Sequence, residues 1–194
     1  MIQDSLLKTL DKILKTVSKE HIPVMFMGGI AVSLWGQPRT TYDIDAVIGI
    51  SGSEKDKFLL EASKQNFTYD KKNPVKIIQK SAFITLASSV KNRKIYVDLF
   101  LASGEYQRVA LSRRKEISIF GRTLPVISAE DLILYKLLAG RTKDIDDIRE
   151  ILVSQKSKLD IIYMKKWANK LGIMTFLNDE LDSTRSLGKN QEKS

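Results

Sequence analysis

A paired glycine, followed further along by two aspartates, does most to limit what this chain can fold into. Val24 to Met27 is an apolar run, Gly28-Gly29 follows it directly, and Asp43-Ile44-Asp45 comes next in the same stretch. An apolar run ending in glycines reads as a strand turning into a helix. Glycine accepts the tight turn, and the helix opening there offers unpaired backbone N–H groups to an anion. Two aspartates flanking one apolar residue fall on one face of a strand. Ile44, Ala46, Val47 and Ile48 mark that strand as buried, where unpaired charges are costly. Side by side, two carboxylates repel and resist joint ionisation unless a cation lies between them. A phosphate cradle beside cation-holding carboxylates is what a nucleoside triphosphate with Mg²⁺ needs.

Two further segments extend the pattern. Lys94-Ile95-Tyr96-Val97-Asp98-Leu99-Phe100 alternates, so Tyr96, Asp98 and Phe100 share the face opposite to Ile95, Val97 and Leu99. The run from Leu132 to Asp147 carries Lys136 inside an apolar helix, then Arg141, Lys143, Asp144 and Asp147. Asp144 and Asp147 are three apart and share a helix face.

Together these residues resemble the nucleotidyltransferase superfamily that includes DNA polymerase β, over roughly residues 20 to 155. The carrying residues are Met27-Gly28-Gly29, Asp43-Ile44-Asp45-Ala46-Val47, and Asp98 as the third carboxylate. The Lys136-Leu137-Leu138-Ala139 and Arg141-Thr142-Lys143-Asp144…Asp147 blocks are similar to the AbiE-type branch, which includes toxins that add nucleotides to tRNA. The resemblance implies an α+β fold, a small mixed β-sheet core with flanking helices and a helical C-terminal part. It implies Mg²⁺ (or Mn²⁺) held by Asp43, Asp45 and Asp98, with Asp98 also helping to deprotonate the acceptor hydroxyl. Gly28, Gly29, Arg39, Thr41 and Lys136 would bind the triphosphate; Gly29 stands where many relatives carry serine. Asp144 would act near the acceptor as a base, or orient Lys136. Lys136 also has a plainer reading, a lysine snorkelling on the solvent side of its helix, and Asp144 with Asp147 as a solvated salt-bridged face.

The net charge is +9, with a pI near 9.6, which favours a polyanionic partner such as RNA. The absence of cysteine and the single His21 exclude disulfides, a thiol nucleophile and a His-rich metal site. His21, Trp35 and Trp167 read as structural. No apolar run is long enough to span a membrane, and Met1-Ile2-Gln3-Asp4 does not open a secretion signal, so a cytoplasmic protein is expected. The leading expectation is transfer of a nucleoside monophosphate from an NTP to a hydroxyl of RNA, tRNA by the branch resemblance, with an antitoxin protein as partner. Two alternatives stand beside it: a small-molecule (antibiotic) adenylyltransferase, and a non-catalytic antitoxin-like or regulatory binding protein.

Pattern and punctuation predict helix, strand, helix, strand, then a β-rich middle and a helical C-terminal third. Ser5 to Glu20 carries Leu6, Leu7, Leu10, Ile13, Leu14 and Val17 at helical spacing. Strands are predicted at 24–27, 44–48, 75–78, 82–87, 94–101, 115–120 and 123–126, with a hairpin over 88–93. Ser128 to Asp131 has the form of a capping box, Gly140 ends that helix, and Thr142 could cap the next. The expected layout is a nucleotidyltransferase core at 1–127, a helical region at 128–182 closing the cleft, and a disordered polar tail at 183–194.

Overall fold

The computed structural model describes residues 2–78, 81–119 and 121–191. The chain divides into two units. The first comprises Met1–Ile30 and Thr40–Ile127, the second Ala31–Arg39 and Ser128–Ser194.

The first unit is built on one mixed sheet. In chain order it contains α1 (Ile2–Lys19), β1 (Val24–Met27), the start of α2 (Gly28–Trp35), β2 (Ile44–Ile48), α3 (Lys55–Lys64), β3 (Phe67–Thr68), β4 (Lys76–Ile78), β5 (Ser81–Val90), β6 (Arg93–Leu101), α4 (Glu105–Ser112), β7 (Lys115–Ile119) and β8 (Arg122–Val126). The strand order is β3-β5-β6-β2-β1-β8-β7, with β4 added alongside β5. β2 runs antiparallel to β1 and parallel to β6, and β1 runs parallel to β8. Ile44, Ala46, Ile84, Leu86, Val97 and Leu99 are fully buried on one face of the sheet, and the candidate residues Asp45 and Asp98 stand on the other. This α+β arrangement agrees with the fold class the sequence implies.

In α1 the buried stripe is Ser5, Thr9, Leu10, Ile13, Thr16 and Val17, while Leu6, Leu7 and Leu14 are only half-buried. Polar residues can occupy this stripe because their hydroxyls are satisfied, Ser5 by the Val90 carbonyl of β5 and the two threonines locally. Thr9 Oγ1 donates to the Ser5 carbonyl and Thr16 Oγ1 to the Lys12 carbonyl, each at 2.8 Å. Lys12 Nζ donates to Ser88 Oγ at 2.9 Å, and Arg122 forks onto Asp11 at 2.6 and 2.8 Å, tying the helix to β5 and β8.

The β5–β6 hairpin is tighter than expected. Val90 pairs with Arg93, leaving Lys91 and Asn92 as a two-residue turn with φ of 48° and 60°. Both positive, these suit the primed turns that match strand twist. Residues 88–90 therefore belong to the strand, with Ser88 and Val90 buried. The strand end predicted at Phe120 lies outside the described residues. His21, exposed and at φ 52°, turns the chain after α1.

The second unit is helical: the remainder of α2, then α5 (Ala129–Ala139), α6 (Thr142–Ser154), α7 (Ile161–Lys170) and α8 (Met174–Gln191). Ser128 caps α5, its Oγ accepting the Asp131 N–H at 3.1 Å and donating to Asp131 Oδ2 at 2.8 Å. Tyr163 of α7 donates to the other oxygen of Asp131 at 2.6 Å, so this buried carboxylate is satisfied on both sides. Gly140 closes α5 at φ 60°, as a left-handed C-terminal glycine does. Thr142 does not cap α6. It is the first helical residue, and Arg141 takes the cap position with no side-chain bond to the first backbone N–H groups of the helix. Trp167 is buried, and the Trp35 carbonyl accepts from Gln155 at 3.0 Å. The tail predicted from Ser183 is helical as far as Gln191, and 192–194 lie outside the described residues. Leu177 and Leu181 are buried and nucleate α8, after which each added residue costs little. Among the described residues, no helix is long and apolar enough to cross a membrane.

Candidate active site

The double glycine is explained by what rests on it. Gly28 has φ +60°, and a Cβ there would overlap the Asp45 carboxylate, with Asp45 Cγ 2.8 Å away. A Cβ on Gly29 would lie 2.6 Å from Thr41 Oγ1 and 2.7 Å from Thr41 Cβ. The two halves of the motif are therefore packed directly against each other, Asp45 on Gly28 and Thr41 on Gly29. The space a serine would fill at position 29 holds the threonine hydroxyl instead.

Strand register brings in the third carboxylate. Asp45 of β2 and Asp98 of β6 are direct partners in a parallel pair, so their side chains emerge on the same face. Thr85 of β5, paired with Asp98 on its other side, donates its hydroxyl to Asp98 Oδ1 at 2.7 Å. Asp43 lies one residue before the strand. β2 begins only at Ile44, so Asp43 sits in the preceding bend, exposed, with Thr41 Oγ1 donating to its Oδ1 at 3.0 Å. Through Thr41, which rests on Gly29, Asp43 is tied to the same glycine turn on which Asp45 sits.

Among the described residues, no group of three or more His, Cys, Asp or Glu side chains is gathered to hold a metal ion. Mg²⁺ does not require one. It is usually held by one or two carboxylates together with substrate phosphates, not by a cage made wholly of protein. The paired Asp45 and Asp98, all hard oxygen donors, fit that mode of binding.

In the second unit Lys136 is only 6 % exposed, which overturns the reading of it as a snorkelling surface lysine. Its Nζ lies 2.7 Å from Asp144 Oδ1 and 2.6 Å from Asp147 Oδ2. Both aspartates are buried, so they do not form a solvated face either. Two of the three ammonium protons are engaged by these bonds. Each aspartate also holds an arginine: Arg141 Nε is 2.6 Å from Asp144 Oδ2, and Arg39 Nη2 is 3.2 Å from Asp147 Oδ2. Both arginines are at least half exposed. Burial pushes the Asp144 pKa up, but hydrogen bonds from Arg141 and Lys136 outweigh it and hold the carboxyl below its ordinary value. Three cations on two anions leave the cluster net positive, with the guanidinium groups towards water.

The sequence reading did not include Thr85 as the partner of Asp98 or Arg141 as the partner of Asp144. A threonine in an alternating strand carries no mark of its cross-strand neighbour. The Arg141-x-x-Asp144 spacing does carry a helical signal, an (i, i+3) ion pair.

Residues 5–182 match the sequence family described as "Nucleotidyltransferase of unknown function (DUF6036)". The chain belongs to this family. It is accordingly a nucleotidyltransferase. Solved structures share its fold at low identity. The antibiotic-resistance factor ANT(2'')-Ia, in solution, is 16% identical with a TM-score of 0.55, the alignment covering 100% of this chain and 97% of that one. A crystal structure of ANT(2'')-Ia in complex with adenylyl-2''-tobramycin aligns at 16% identity and a TM-score of 0.50, over 94% of this chain and 98% of that one. An antigenic nucleotidyltransferase-like protein from Paracoccidioides brasiliensis aligns at 18% identity and a TM-score of 0.53, covering 91% and 92%. No curated protein sequence matches the chain.

Proposed function

We propose that this nucleotidyltransferase moves a nucleoside monophosphate from a nucleoside triphosphate to a hydroxyl of RNA. The observation that carries the chemistry is the direct pairing of Asp45 with Asp98, one seated on Gly28 and the other held by Thr85. The N-terminal turn of α2 would receive triphosphate oxygens on its backbone N–H groups, as helix starts do. The family resemblance assigns Arg39 to phosphate contact; within the second unit its guanidinium is held by Asp147.

The acceptor hydroxyl attacks the α-phosphorus in line. A new P–O bond forms, the bond from the α-phosphorus to the α,β-bridging oxygen breaks, and pyrophosphate leaves. The proton lost by the hydroxyl passes to the Asp98 carboxylate, whose rotation Thr85 sets. Asp45 and Asp98, with Asp43 from the bend, would hold Mg²⁺ or Mn²⁺, which when bound neutralises the triphosphate and stabilises the attacking and leaving oxygens. Within the second unit Lys136 holds Asp144 and Asp147, and through them Arg141 and Arg39.

The RNA reading is supported by the +9 charge and by the AbiE-type resemblance, which points to tRNA and an antitoxin partner. A second reading, adenylation of an aminoglycoside hydroxyl, is favoured by the fold likeness to ANT(2'')-Ia. Incubating the protein with each α-labelled NTP, Mg²⁺, and either total tRNA or tobramycin separates them. Label entering RNA supports the first reading. Label entering only tobramycin replaces it with the second.

A further inference from the structure

Beside Asp98, the first unit carries a pocket that the transfer chemistry leaves unused. Its volume is about 280 Å³, and Tyr69, Asn73, Lys76, Thr85, Lys94 and Tyr96 line it. That is near the small end of ligand pockets, which run from about 300 to 1,000 Å³. It joins the catalytic face in two ways. Thr85 forms part of its wall and also donates to Asp98 Oδ1 at 2.7 Å. Tyr96 stands two residues before Asp98 on β6, on the same face and roughly 7 Å along the strand.

The lining has a specific chemical character. Tyr96 is 48% exposed although it is a large aromatic side chain in a sheet, and Tyr69 is half-buried nearby. Lys94 Nζ lies 5.2 Å from the Tyr96 ring centroid, so a cation stands by the aromatic face. Lys76 adds a second exposed cation. One carboxylate, Asp70, also lines the pocket, but it accepts the backbone N–H groups of Lys72 and Asn73 at 2.9 and 3.2 Å and so orders the turn. The pocket is net positive, aromatic, and supplied with amide and hydroxyl groups. Single-stranded nucleic acid is bound by this combination, bases stacking on aromatic side chains while lysines take the phosphates. A polycationic aminoglycoside would meet two lysines instead.

We infer that this pocket seats the 3′-terminal nucleotide of a single-stranded RNA acceptor, its base against Tyr96 and its phosphate near Lys94 and Lys76, which delivers the terminal hydroxyl to Asp98. The inference rests on nucleotidyl transfer at Asp45 and Asp98 and adds to it the acceptor's seat.

The test measures binding and turnover separately. A fluorescein-labelled single-stranded RNA 12-mer with a free 3′-hydroxyl is titrated by anisotropy against wild type, Tyr96→Ala, Tyr96→Phe and Lys94→Ala. Loss of one stacked base weakens binding roughly 5- to 150-fold for Tyr96→Ala, whereas Tyr96→Phe keeps the ring and stays near wild type. Lys94→Ala lowers the salt slope by about one. In the labelled-NTP assay Tyr96→Ala raises the KM for RNA with a smaller change in kcat. Tyr96 is exposed, so its truncation leaves the sheet folded, which circular dichroism verifies. Equal RNA affinity and equal KM in wild type and Tyr96→Ala would overturn the seat while leaving transfer at Asp45 and Asp98 intact. Ring-dependent RNA binding with no label transfer by wild type would retain the seat and remove the transfer reading. Calorimetric binding of tobramycin to the RNA-free protein that is lost in Tyr96→Ala, with RNA affinity unchanged in that variant, would assign the pocket to small cations and overturn the RNA seat.

Discussion

Replacing Lys136 with leucine should destabilise the helical unit far more than a surface lysine could. The ammonium is 6 % exposed and touches Asp144 and Asp147 at 2.7 and 2.6 Å. Its removal leaves two buried carboxylates facing one another. Breaking a buried pair by deleting one partner costs about 3–5 kcal/mol. Arg141 remains on the other oxygen of Asp144, and Arg39 on the same Asp147 oxygen that Lys136 vacates, which places the expected loss in the lower part of that range, about 3–4 kcal/mol. For a chain of this size each kcal/mol moves Tm by about 2–4 °C, so the midpoint should drop by roughly 6–16 °C. Urea unfolding followed by circular dichroism would show a lower midpoint at unchanged slope. The double variant Lys136→Leu with Asp147→Leu should recover part of the loss, because it removes an unpaired charge along with its partner. A change within about ±0.5 kcal/mol, the size expected for an exposed site, would refute the buried-cluster argument. So would a double variant that loses as much as the sum of the two singles.

Three further outcomes follow from the same geometry. Gly28→Ala should lower transfer at least tenfold and destabilise by about 1–3 kcal/mol, since it forces a left-handed backbone on alanine and drives a Cβ into Asp45; unaltered kinetics at limiting NTP would contradict it. Because the Asp144 carboxyl is held below its ordinary value when folded, its contribution is present above the unfolded carboxylate range and is lost as pH falls through the folded value. The thermal stability advantage of wild type over Asp144→Asn should therefore be full at neutral pH and shrink below about pH 4, and an advantage that grows on acidification would reverse the assigned sign. Asp98→Asn should abolish transfer while leaving affinity for the RNA 12-mer undiminished, and a parallel loss of both would place Asp98 in binding instead.

Much of this was legible in the sequence, where short-range chemistry decides. The strand-to-helix turn at Gly28-Gly29, the alternation around Asp98, the Ser128 cap and the Gly140 stop all depend on neighbours within a few residues. What escaped depends on pairing between distant segments. Nothing local says that Asp45 lies opposite Asp98, or that Thr85 stands across from it. Asp43 lies in the bend just before the ladder, and its tie to Gly29 through Thr41 is a contact that local pattern does not announce. Helical periodicity suggested a leucine face for α1; the fold buries Leu10, Ile13 and Val17 of it and adds Ser5, Thr9 and Thr16, whose hydroxyls return to the helix backbone at Thr9 and Thr16 and reach the Val90 carbonyl at Ser5. Lys136 was the hardest to read. A lysine in an apolar helix is compatible with solvent, phosphate or a buried pair, and only the packing of α6 against α5 selects the last.

The central claim is that Asp45, paired with Asp98 and seated on Gly28, carries nucleotidyl transfer. Its most direct test is label transfer from α-labelled NTP to tRNA by wild type and by Asp45→Asn, both confirmed folded by circular dichroism. Wild type should label tRNA in a Mg²⁺-dependent manner, and the variant should show no label above background. A folded Asp45→Asn protein that labels RNA within tenfold of the wild-type rate would contradict it.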